Sequence, residues 1–77
     1  MKRPALIREI ATFNDIPVSG IDETLPLSAL TMDSFALVEL ALHLQDECGV
    51  ILEHDDFEGV ASVGDLLDLF EKRMATV

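Results

Sequence analysis

No lysine or arginine occurs between Glu9 and Glu71. Lys2, Arg3 and Arg8 stand at one end and Lys72 and Arg73 at the other, while all 15 carboxylates fall within the span between Glu9 and Glu71. The net charge of −10 argues against nucleic acid as a ligand, because its phosphates are repelled, and against anionic lipid surfaces. Tryptophan and tyrosine are absent and phenylalanine occurs four times. A small core of Leu, Ile and Val packs as helices more readily than as a β-sandwich. The single cysteine, Cys48, excludes an intramolecular disulfide and points to a reducing cytoplasm. No stretch reaches 18 uninterrupted apolar residues, so no membrane insertion is expected. Met1-Lys2-Arg3-Pro4 leads into a charged amphipathic segment without a cleavable apolar run, so secretion is not expected either.

What remains is 77 residues with 49% apolar content, too apolar for disorder and the length of one domain, here 1–77. Such a chain buries only about 60% of the surface its unfolded form exposes, and its stability margin is thin. Pro4 suits a first helical turn, and Leu6, Ile10 and Phe13 follow at spacings of four and three. Pro17 closes that pattern. A long connection runs to Thr31, with Leu25, Leu27 and Leu30 expected against the core. Connections of this length often carry function. Residues 33 to 48 give the strongest helix, with Asp33 as cap, Leu37, Leu40, Ala41, Leu44 and Cys48 at core spacing, and Gly49 as the terminating residue. A short piece is expected around Asp55 to Gly59. The last helix opens with Ser62-Val63-Gly64-Asp65, a shortened capping box, and runs Val63, Leu66, Leu67, Phe70 and Met74 down one face. The fold is read as all-α, a small four-helix bundle with a long first connection and a short third helix.

One core stripe leaves Phe35, Val38 and Leu42 unexplained on a second face of the central helix. They form either a contact surface rimmed by Glu39, Asp46 and Glu47 or a second buried side; periodicity leaves both open.

Ser34 begins that helix. By local chemistry alone such a serine is a cap or a solvated first-turn residue. His43, Cys48, His54 and Asp55 match no recognised ligand spacing, so no metal site is expected. No segment alternates Asp/Asn ligands with glycine at the sixth place of a calcium loop. No G-x-S-x-G elbow is present for a serine hydrolase.

The string Leu30-Thr31-Met32-Asp33-Ser34-Phe35-Ala36-Leu37-Val38-Glu39-Leu40 resembles the phosphopantetheine-attachment motif of acyl carrier proteins, and length, acidity and helix order resemble that family across nearly the whole chain. The resemblance implies a non-catalytic carrier with 4′-phosphopantetheine, taken from coenzyme A by a phosphopantetheinyl transferase, attached to Ser34. Its thiol would carry acyl or aminoacyl groups as thioesters in fatty-acid, polyketide or specialised metabolism. It further implies that Asp33, Glu39, Asp46, Glu47, Asp55 and Asp56 meet basic patches on loading and transfer enzymes, with Phe35, Val38 and Leu42 as apolar contacts, on a monomeric cytoplasmic protein. Thr31, Phe35, Cys48 and Glu53 depart from the usual fatty-acid carrier residues. The Asp-Ser-Phe-x-x-Val-Glu-Leu string also looks like D-alanyl carriers, whereas peptidyl carriers more often place His before the serine. An unmodified acidic adaptor shares the same fold and surface, and the chemistry of Ser34 separates it from a carrier.

Overall fold

The computed structural model describes residues 2–30 and 34–75, with Ser34 described by its backbone alone. Four α-helical segments stand among the described residues: α1 (Arg3–Asn14), α2 (Leu27–Leu30), α3 (Ser34–Cys48) and α4 (Val63–Ala75). Two 3-10 turns, Val18–Gly20 and His54–Phe57, lie in the connections. The only extended pairing among these residues is one antiparallel bridge between Pro26 and Ser62. The all-α expectation holds, with two differences: the short piece after Gly49 is a single 3-10 turn, and a helical turn, α2, sits inside the long first connection.

Pro4 lies in the first turn of α1, where its missing N–H costs no helical hydrogen bond. The helix stops earlier than Pro17. Asp15 takes a left-handed conformation (φ 54°), and the N–H groups of Asp15 and Ile16 donate to the carbonyls of Thr12 (3.2 Å) and Ala11 (3.0 Å). These two bonds satisfy carbonyls that the helix end would otherwise orphan. Gly49 ends α3 with φ 70°, its N–H and that of Val50 both donating to the Gln45 carbonyl.

The long connection is held by backbone bonds to the start of α4. Leu27 N–H donates to the Ala61 carbonyl (2.9 Å), Val63 N–H to Leu25 (2.9 Å) and Gly64 N–H to Glu23 (2.8 Å). A Cβ at Gly64 would stand 3.0 Å from the Glu23 carbonyl oxygen, so glycine is what permits this close approach. The capping box of α4 forms as expected: Asp65 N–H donates to Ser62 Oγ at 3.2 Å, and Ser62 N–H to Asp65 Oδ2 at 3.3 Å.

Leu6 and Ile10 of α1, Leu40 and Leu44 of α3, and Val63, Leu66, Leu67 and Phe70 of α4 make the fully buried centre. Leu27 is buried beside them, with Leu25 and Leu30 partly buried against the cluster. Phe13, expected on the core side of α1, is instead 38% exposed and lies against the ring of His43. Arg3 ties three parts of the chain together, donating to Glu71 (Nε to Oε1, 2.9 Å), Asp68 (2.5 Å) and Glu23. Glu71 first, then Asp68, hold its charge even more firmly than usual. No described helix is long and apolar enough to cross a membrane.

Candidate functional site

The side of α3 that faces neither α1 nor α4 settles the question of the second stripe. Phe35 is 69% exposed, Val38 55% and Leu42 58%, so the stripe is a surface and not a second buried face. Its neighbours on the core side are Leu40 and Leu44, both closed off from solvent. Glu39, Asp46 and Glu47 are exposed along the same helix, and α3 contains no Lys or Arg. The surface is therefore apolar in the centre and negative at its edge, a pattern complementary to basic surfaces. Ile51, in the backbone that follows α3, is 80% exposed. Sequence periodicity could not have found it, because it lies in irregular backbone.

Beside the stripe lies an apolar cleft of about 320 Å³. Leu37, Val38, Ala41 and Leu42 of α3 form one wall, His54, Phe57 and Val60 the other, and Leu27 and Leu66 also line it. Leu37 and Ala41, read from the sequence as core residues, are accordingly only half-buried. Residue 34 is one turn before 37 and 38 and two before 41, so it heads the row that forms the cleft wall. It is also the first described residue of the fifteen-residue α3, at the end where a helix presents unpaired N–H groups and partial positive charge. Asp33, Thr31 and Met32 lie outside the described residues.

The acidic positions divide by what they already hold. Asp55 is exposed. Asp56 is engaged within the fold: its Oδ2 accepts Arg73 Nη2 at 2.7 Å and the Glu53 N–H at 2.8 Å. Together with Glu53, it forms the capping box of the 3-10 turn that walls the cleft. Cys48 is half-buried against the core, and burial pushes its thiol pKa above the ordinary range.

A serine position at a helix start, beside an apolar cleft and an acid-rimmed apolar face, suits a covalently tethered group and visiting proteins. The family model for the phosphopantetheine attachment site matches residues 4–70. The chain belongs to the phosphopantetheine-attachment family of acyl carrier type. The group this family carries is covalently attached 4′-phosphopantetheine, and its members are carriers, not enzymes. Among similar proteins are acyl carrier protein 4, chloroplastic, of Cuphea lanceolata, 33% identical over 67 residues (87% of this chain and 46% of that protein), and an acyl carrier protein of Saccharopolyspora erythraea, 42% identical over 55 residues (70% of this chain and 58% of that protein). The chain thus spans about half the length of the curated relatives it matches. No solved structure matches it significantly.

The phosphopantetheine group fits the residues present. The N-terminal end of a helix such as α3 favours a phosphodiester, and the cleft along α3 is lined mostly by apolar side chains.

Proposed function

We propose that the chain is an acyl carrier that takes 4′-phosphopantetheine on Ser34 and presents acyl groups, as a monomer in the cytoplasm, to enzymes with basic docking patches. The observation that carries this reading is the place of residue 34, at the start of α3 and at the head of the cleft row. The Ser34 oxygen displaces adenosine 3′,5′-bisphosphate from the pyrophosphate of coenzyme A, its proton passing to a base on the transferase. When bound, the arm supplies a thiol that holds an acyl group as a thioester activated for transfer. The residues of this chain do the rest. The start of α3 stabilises the phosphodiester, Phe35, Val38 and Leu42 give partner enzymes an apolar landing surface, and Asp33, Glu39, Asp46, Glu47 and Asp55 orient it. Asp56, already paired with Arg73, serves chiefly to shape the cleft wall.

The cleft, in which only Gln45 and His54 are polar among the lining residues, favours an alkyl cargo over D-alanyl or another aminoacyl group, whose charged ammonium loses hydration there. Leu37 and Leu66 line the cleft, and Leu40, Leu44, Leu67 and Phe70 lie buried in the core, where a longer chain would press. An unmodified acidic adaptor would use the same surface without Ser34. Intact mass after incubation with coenzyme A and a broad-specificity phosphopantetheinyl transferase separates the readings. The parent is expected to gain one phosphopantetheine and Ser34→Ala none; a folded parent that gains nothing favours the adaptor.

A further inference from the structure

Three side chains with metal-ligating atoms meet where α1 packs on α3, and of these only Glu47 also belongs to the acidic rim of the docking surface. Glu9 of α1 and His43 and Glu47 of α3 each bring one ligand atom to within 4.8 Å of the others. His43 Nε2 is 2.9 Å from Glu9 Oε2. The Phe13 ring lies against the imidazole, with centroids 5.6 Å apart and planes at 31°. Glu9 and His43 are half-buried, while Glu47 is exposed.

We propose that Glu9, His43 and Glu47 form a divalent transition-metal site that clamps α1 to α3, with zinc as the ion its ligands suit best. One imidazole nitrogen with two carboxylate oxygens is a donor set that favours zinc and its neighbours over magnesium or calcium, which prefer oxygen alone. Around tetrahedral zinc, ligands at about 2.0–2.2 Å stand roughly 3.4 Å from one another. The present spacing closes to that distance by rotation of the long, exposed Glu47 side chain, while Glu9 and His43 are already in contact. The two carboxylates bring negative charge to the ion, and Arg8, beside Glu9 on α1, is exposed to solvent. Solvent occupies the remaining coordination position.

The three ligands lie to one side of the apolar stripe and share only the rim residue Glu47 with the docking surface. At about 100° per residue, positions 43 and 47 lie roughly 130° round α3 from the centre of the 35, 38 and 42 stripe. An ion there ties the helices together and leaves the stripe and the cleft clear. The proposal stands whether or not Ser34 is modified.

The test titrates zinc alone into the full chain, by calorimetry and by NMR of the two histidine rings. One zinc per chain is expected, moving the His43 ring signals and leaving those of His54 in place. His43→Gln and Glu47→Gln should each weaken binding at least ~10-fold, and Glu58→Gln, an exposed carboxylate elsewhere, should not. Zinc should raise the parent melting temperature beyond equimolar magnesium, which acts on the acidic surface by screening alone. Glu47→Gln, at an exposed position, keeps the test decisive if His43→Gln folds poorly. The site is excluded if Glu47→Gln and Glu58→Gln bind zinc alike, if both histidines shift together, or if zinc and magnesium stabilise equally.

Discussion

Arg73 donates to Asp56 across 2.7 Å, and through that bond the end of α4 holds the 3-10 turn that walls the apolar cleft. Asp56 Oδ2 also caps the turn by accepting the Glu53 N–H. A carboxylate that reads in the sequence as one more surface charge is thus a fixed part of the site. Arg73→Gln and Asp56→Asn should speed amide exchange across His54–Phe57 by about 5-fold or more. Global stability should change by less than about 1 kcal/mol, because the pair is partly exposed. Unchanged exchange in the turn would show that Val60 and Phe57 packing holds the wall unaided.

The exposed stripe predicts a separation of binding from stability. Val38→Gln and Leu42→Gln should each cost less than about 1 kcal/mol of folding free energy, since neither side chain is closed off from solvent. Both should reduce kcat/KM of the transferase by about 10-fold, as loss of a central apolar contact does at an interface. Full transferase activity with both substitutions would place the docking surface elsewhere.

Core truncation should behave in the opposite way. Phe70 is completely buried, and Phe70→Ala should cost about 3–5 kcal/mol through lost burial and the cavity left behind. A 77-residue domain has roughly 4–12 kcal/mol in total, so this variant is expected to melt at least about 10 °C below the parent. A cooperative thermal melt within a few degrees of the parent would contradict the packing described.

Acid should weaken two particular turns. Backbone N–H bonds from Ala61 and Ser62 hold the Asp65 carboxyl below its usual range, and the Thr24 N–H and hydroxyl do the same for Asp22. Each folded-state pKa is depressed, so the contribution is fully present above the unfolded value of about 3.9 and is lost as pH falls through the lower folded value. The stability gap between the parent and Asp65→Ala should therefore be constant above about pH 5 and close in stronger acid. A gap independent of pH down to 2 would remove the carboxylate from the account.

Screening acts on the other carboxylates. With a net charge of −10, the isolated domain should melt higher as salt rises, because like-charge repulsion is weakened more than the few ion pairs. A melting temperature indifferent to salt would contradict a strongly self-repelling surface.

Much of this architecture was legible in the residues, for physical reasons that differ by element. Gly49 and the Ser62–Asp65 box are local signals, and both act where the sequence places them. The order of α1, α3 and α4 follows from apolar period alone. Helix α2 was not legible, because Leu27–Leu30 is only four residues long and is held by the Leu27 bond to Ala61, a partner 34 positions away. Phe13 misled for the same reason: its helical spacing fits the core, yet the His43 ring on another helix takes it. Exposure of Phe35, Val38 and Leu42 needed the positions of α1 and α4, since period alone gives a second stripe and not what covers it. The meeting of Glu9 with His43 and Glu47 left only the four-residue spacing of the latter two as a trace. Ser34 as attachment point is an expectation from its motif, and the structure adds only its place at the start of α3.

The most direct measurement locates the arm itself. The full chain, incubated with coenzyme A and a phosphopantetheinyl transferase, would be digested and fragmented by tandem mass spectrometry. The account predicts one phosphopantetheine, on the peptide and at the position of Ser34, with Ser19, Ser28 and Ser62 unmodified. An arm on any other serine, or a folded chain that the transferase leaves bare, would contradict it.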